Sequence, residues 1–290
     1  MKAGKSPIKG AITLTGLAGL VIVLILSMQY VLEEFRAREQ GSRLLLAPIT
    51  FKRFDTKNMR FAVAVLYTME DAFGSLSQGA CKIARQVRRM TNVDLVMLTL
   101  RYSKNMAKCG WKQIVVPVIE SPEPIVNMYG QAKLYTKLHL WNLTQYERVL
   151  YLDLDTLPVA QFAQLFEQKL DPSCDAGAMV LDIIAVKMHD TQYFNAGVIL
   201  VLPSKRLWHD LMGNVTLVSH DHSLAEQNYV NVYLKGRICP LPRKYNSMVF
   251  DRTQFEPKMV IIHYTGVKVY HRFRAWQVGL NDLVAAWDLA

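Results

Sequence analysis

Short apolar runs separated by helical spacing constrain this chain more than any other feature. FAVAVLY (61–67) has no polar residue on either face, which marks a strand buried on both sides. DLVMLTL (94–100), QIVVPVI (113–119), RVLYLDLD (148–155), AGAMVLD (176–182), NAGVILVLP (195–203) and KMVIIHY (258–264) continue the series. Between the first two runs, Leu76, Ala80, Ile83, Ala84 and Val87 recur at spacings of three and four, the period of a helix with one buried face. GQAKLYTKLHLWNL (130–143) and the stretches near 204–212 and 223–234 also read as helices. Strands alternating with helices predict an α/β domain with a mainly parallel central sheet. In such sheets ligands collect at the carboxyl ends of the strands.

Asp153 and Asp155 fall at such an end, one residue apart, after five largely apolar positions. On an extended strand, alternation turns both carboxylates to one side and Leu154 to the other. Two hard oxygen ligands so placed suit Mn²⁺ or Mg²⁺, with substrate phosphates completing the shell. Solvated acids capping a strand are the plain alternative. A second chemical reading is the D-x-D-x-[TV] motif of haloacid dehalogenase-type phosphatases, with Asp153 as nucleophile and Asp155 as acid/base. That motif wants Thr or Val where this chain has Leu157, and it follows the first strand of its fold rather than a later one.

The N-terminus carries a different signal. Residues 10–32 contain no charged side chain, and at ~1.5 Å rise per residue such a helix spans a hydrocarbon core of ~30 Å. Lys2, Lys5 and Lys9 precede it, while Glu33, Glu34, Arg36 and Arg38 follow and cancel. The positive-inside rule then keeps residues 1–9 cytoplasmic and sends the body across the membrane. The run exceeds a usual signal-peptide core and lacks a clean A-x-A cleavage site, so a retained anchor is expected rather than a cleaved signal. A polar stem over 33–58 and a single catalytic domain over 59–290 complete the expected organisation. The net charge of +10 suits an anionic partner, but no zinc-finger spacing, RNP-like motif or long basic run points to nucleic acid. Cys81, Cys109, Cys174 and Cys239 have no CxxC spacing, which argues against structural zinc. They leave open buried thiols or one or two disulfides, with three pairings for the full set. Sequons at Asn142 and Asn214 are consistent with a lumenal body.

TKLHLWNLTQYERVLYLDLDTL (136–157) resembles the glycogenin-like glycosyltransferases of family 8, which have the GT-A fold. Four more blocks follow the family's order: VLYTMEDAFGSLSQGA (65–80), FNAGVILVLPS (194–204), AEQNYVN (225–231) and IIHYTGVK (261–268). The resemblance implies transfer of a sugar from a UDP-sugar with retained anomeric configuration, aided by Mn²⁺, with Mg²⁺ as the alternative. It implies Asp153, Asp155 and His263 as metal ligands and Lys137 as a donor contact offsetting charge on the departing UDP. Asn195 and Ala196 would lie beside the donor sugar, with Gly197 allowing close backbone approach. Gln227 and Glu226 would stand at the reacting face, and Phe73 with the backbone near Tyr67 would pack on the uracil. Gly266 and Lys268 would meet the diphosphate.

Lys268 follows Gly266 by two residues where the family has three, and Val269-Tyr270 replaces the family's Pro-Trp. The arginine that glycogenin carries ahead of the lysine helix, and its self-glucosylated tyrosine, have no counterpart. Together with the anchor, these departures point away from a glycogen primer. They point to a type II, single-pass enzyme of the Golgi or endoplasmic reticulum, acting on a glycan, lipid or protein. A phosphatase using Asp153 and a non-catalytic UDP-sugar-binding protein are the rival functions.

Overall fold

A computed structural model describes residues 26, 28–33, 35–40, 50–54, 60–68, 75–123, 131–182, 192–249, 259–265 and 281–290. The runs of the sequence become a seven-stranded sheet. Its strands are β1 (Phe61–Tyr67), β2 (Asp94–Thr99), β3 (Lys112–Val115), β4 (Arg148–Leu152), β6 (Gly177–Leu181), β7 (Phe194–Val201) and β8 (Ile238–Leu241), in the order β3-β2-β1-β4-β7-β6-β8. All neighbours pair in parallel except β7, which runs antiparallel to both β4 and β6.

Alternation along β1 supplies two cores. Val63 and Val65 face one side, packed by helix α1 (Ser75–Met90) through Ala80, Ile83, Ala84 and Val87. Ala62, Ala64 and Leu66 face the other, packed by the segment Gln131–Asn142, by α3 (Lys205–Asn214) and by α4 (Glu226–Tyr233). The short α2 (Lys104–Lys108), capped by the Ser103 hydroxyl, joins the first side. Fully burying each large aliphatic side chain contributes roughly 1.5–3 kcal/mol, so this double layer is the main stabiliser of the sheet.

A small second sheet crosses the end of β4. It orders β5 (Thr156–Pro158), β10 (Ile261–His263) and β9 (Ser247–Met248), and α5 (Asn281–Leu289) closes over it. Tyr264 donates from its hydroxyl to the Leu283 carbonyl at 2.7 Å, tying that helix to the strand that carries His263.

Three expectations change. The helix read at 130–143 is a 3₁₀ helix over Gln131–Asn142, and the strand read at 113–119 is only Lys112–Val115. The acid pair does not lie on an extended strand. β4 ends at Leu152, and Asp153 to Asp155 form a turn closed by the Thr156 N–H and hydroxyl on the Asp153 carbonyl, at 3.0 and 2.8 Å.

All four cysteines are paired, as Cys81–Cys109 and Cys174–Cys239. Of the expected anchor over 10–32, residues 10–25 and 27 lie outside the described residues. Among the described residues no helix is long and apolar enough to cross a membrane.

Candidate active site

The reversal of β7 builds the site. β1 and β4 run in parallel and deliver Leu66, Thr68 and Asp153 from their carboxyl ends. β7 starts where β4 finishes, with Val198 opposite Leu152, so Asn195, Ala196 and Gly197 from its first residues reach the same edge. There they line a cavity of about 280 Å³ with Asp155, His263, Lys137, Glu226 and Gln227. The side chain of Tyr67 joins the core, because alternation turns Leu66 and Thr68 toward the cavity. Phe73, Gly266 and Lys268 lie outside the described residues.

In one corner, Asp153, Asp155 and His263 each offer one atom within 4.8 Å of the others. His263 Nε2 is 3.3 Å from Asp155 Oδ1. The backbone holds this corner: Asp153 N–H donates to the Gly197 carbonyl at 2.8 Å, and Tyr264 N–H to the Asp155 carbonyl at 2.9 Å. Two glycines make room for it. A Cβ on Gly197 would lie 2.1 Å from His263 Cε1, so glycine here admits the imidazole. A Cβ on Gly79 of α1 would lie 2.1 Å from the Leu154 carbonyl oxygen, in the acid turn itself. Two carboxylate oxygens and an imidazole nitrogen are a donor set that fits Mn²⁺ and accommodates Mg²⁺ less well.

In the other corner, the Lys137 ammonium sits 2.9 Å from Asp153 Oδ1 and 2.6 Å from Glu226 Oε1, with both Lys137 and Glu226 buried. Burial disfavours the charge on Lys137, but Asp153 and Glu226 outweigh it and hold the ammonium well above its ordinary range. Burial also raises Glu226; Lys137 counters this and the charge on Asp153 adds to it. Tyr151, two residues before Asp153 on the same face, donates to Asp153 Oδ1 at 2.5 Å, and its ring lies 5.1 Å from the ammonium. Glu226 enters through a strained residue: Ala225 has φ 51° and ψ −131°, a conformation that favours glycine. Leu134 and Lys137 both line the cavity because three residues per turn align them along the 3₁₀ helix.

Two residues that sequence reading passed over, Asp182 and Asn246, connect these corners. Asp182 Oδ2 accepts from Asn195 Nδ2 at 3.0 Å and from Gln227 Nε2 at 3.3 Å. The Gln227 side-chain oxygen accepts from Ala196 N–H at 2.9 Å, so its amide clamps α4 to β7. Asn246 donates to Asn195 Oδ1 and meets His263 Nδ1, both at 2.9 Å. Asp182 was findable, since it ends an apolar run as Asp153 nearly does. Asn246 and Gly79 carry no such local signal.

An open α/β sheet with a reversed strand beside an acid turn and a histidine is the arrangement of a GT-A glycosyltransferase. It resembles the WbbM bifunctional glycosyltransferase (TM-score 0.59, 18% identity), covering 82% of this chain and 51% of that one. The family model for glycosyl transferase family 8 matches residues 55–273, and the chain belongs to that family. Inositol phosphorylceramide glucuronosyltransferase 1 of Arabidopsis thaliana is 30% identical over 153 residues, 52% of this chain and 24% of that protein. Glycogenin-1 of Mus musculus is 28% identical over 182 residues, 59% of this chain and 50% of its own. The chain thus spans half or less of the length of these two relatives. The family match favours a transferase over the phosphatase reading of Asp153.

Proposed function

We propose that the chain moves a hexose or N-acetylhexosamine from a UDP-sugar to a glycan, lipid or protein acceptor, with retained anomeric configuration and with Mn²⁺. The observation that carries this reading is the convergence of Asp153, Asp155 and His263 beside the buried Lys137–Glu226 pair in one cavity.

In the reaction, the bond from the anomeric carbon to the β-phosphate oxygen breaks, and the acceptor hydroxyl oxygen takes the carbon and releases its proton to solvent. UDP leaves with the added negative charge. Asp153, Asp155 and His263 would hold the cation, which supplies positive charge to the departing diphosphate. Lys137 stays protonated throughout, so it offers a fixed positive charge beside the leaving group without giving up a proton. Glu226 stands on the far side of Lys137 and offsets positive charge developing at the sugar. Asn195 and Ala196 line the cavity where a sugar ring would sit, with the Gln227 amide orienting that wall.

The two disulfides support an oxidising compartment, consistent with a lumenal body held at a Golgi or endoplasmic reticulum membrane by residues 10–32, with residues 59–290 as the catalytic domain. A panel of UDP-sugars incubated with the full chain tests the reading. UDP release from at least one neutral sugar donor is expected, abolished by chelation and restored by Mn²⁺. Phosphate release from small phosphoesters with a trapped aspartyl-phosphate on Asp153 would instead establish the phosphatase. Tight UDP binding without turnover of any donor would establish the non-catalytic reading.

A further inference from the structure

A carboxylate offers oxygens to a cation whatever its neighbours do. A neutral imidazole offers a lone pair on one nitrogen only, and the position of its single proton decides which. In this site the proton's position follows from hydrogen-bond partners whose roles are not interchangeable. The Gly197 N–H can only donate, and it donates to Asn195 Oδ1 at 3.0 Å. The other end of that amide, Nδ2, therefore points at Asp182, whose carboxylate oxygen accepts it at 3.0 Å. Asn246 meets the acceptor end of Asn195 at 2.9 Å and must do so with its own NH₂. Its oxygen is then the atom facing His263 Nδ1 at 2.9 Å. An amide oxygen only accepts, so Nδ1 carries the proton. Nε2 keeps the lone pair, on the side of Asp155.

The backbone keeps this chain of amides in register. Asn246 is 1% exposed and directly precedes β9, whose Ser247 and Met248 lie opposite Ile262 and His263 of β10. Turning Asn195 over would set donor against donor at Gly197 and acceptor against acceptor at Asp182, and turning Asn246 over would set its oxygen against Asn195 Oδ1.

We propose that Asn246 is a positioning residue: with Asn195 and Asp182 behind it, it holds His263 in the Nδ1–H tautomer and so makes Nε2 the ligand atom. This rests on the metal reading of Asp153, Asp155 and His263 given above. The proton's place, however, is measurable without any metal.

The experiment is long-range ¹H–¹⁵N correlation of the histidine rings in the metal-free full chain, at a pH where imidazole is neutral. His263 is identified by its loss in His263→Gln. Wild type is expected to show a protonated Nδ1 and a bare Nε2. Asn246→Asp keeps the proton on Nδ1, because a carboxylate also accepts there, although it gives up the hydrogen bond to Asn195 Oδ1. Asn246→Leu loses it, and binds Mn²⁺ about 10- to 100-fold more weakly by titration. A wild-type ring protonated on Nε2 overturns the proposal. So does an Asn246→Leu variant with an unchanged ring pattern and unchanged Mn²⁺ titration. Should Asn246→Leu fail to fold, the wild-type and Asn246→Asp spectra still decide. If wild type shows the expected tautomer yet binds no Mn²⁺, the metal reading falls and the role of Asn246 in setting the proton stands.

Discussion

The two corners of the cavity are built by different means. The Asp153–Asp155–His263 corner is held by backbone hydrogen bonds, by two glycines that admit close approach, and by an amide chain that fixes one proton. The Lys137–Glu226 corner is held by long side chains meeting between two helices, with a strained Ala225 feeding one of them in. The first tolerates little change of shape. The second tolerates little change of charge, because removing Lys137 leaves Glu226 buried and uncompensated, and removing Glu226 leaves Lys137 only Asp153.

Breaking the second corner has the larger expected effect on stability. Lys137→Met leaves Glu226 and Asp153 facing each other without a counter-charge, at a cost of about 3–5 kcal/mol. That lowers the melting temperature by roughly 10 °C for a domain of this size. Adding Glu226→Met to the same chain should recover part of the loss, a coupling that thermal melts of the two single variants and the double variant measure. Additive losses would mean that the pair is not a unit.

Gly197→Ala attacks the first corner by shape alone. The added methyl collides with the His263 ring, so the imidazole must move. Mn²⁺ affinity should fall about 10- to 100-fold, while the melting temperature falls by only a few degrees. A titration showing unchanged affinity would mean that His263 is not a ligand.

The smallest effect comes from behind the Lys137 segment. Tyr135 of the same 3₁₀ helix donates to His220 Nε2 at 2.6 Å, while His220 Nδ1 donates to the Val218 carbonyl at 2.7 Å. Burial lowers the pKa of His220; the Val218 carbonyl opposes the shift and His222 adds to it. Burial also lowers His139, against the Pro117 carbonyl. Both bases hold a proton less readily when folded. Their contribution is therefore complete above the unfolded value of 6.5 and is lost as the pH falls below it. The melting temperature should drop by a few degrees between about pH 7.5 and about pH 5.5. A flat or rising profile would contradict this.

The same contrast explains what the sequence disclosed. The strands were legible because burial on both faces writes a continuous apolar run, and β1 matches its run residue for residue. Asp153 and Asp155 were legible because charge after such a run is unusual. Their geometry was not, because whether residues 153–155 continue a strand or turn depends on Gly79 and on β10, far away in the chain. Lys137 and Glu226 were named individually through the family blocks, but their pairing bridges residues 89 positions apart, which no local pattern encodes. Asn246 and Asp182 act only through partners that tertiary structure brings to them. The disulfides were open for a similar reason: four unclustered cysteines allow three pairings, and only the fold selects one.

The most direct test of the account is Mn²⁺ binding by the full chain in the presence of UDP, compared between wild type and Asp155→Asn by calorimetric titration. Asp155 is the ligand to choose because Lys137 leans on Asp153 and Glu226. The account predicts saturable binding by wild type, and affinity lower by on the order of a hundredfold or more in the variant, with the fold intact. Equal affinity in the two proteins, with equal rates of UDP release from the donor, would contradict it.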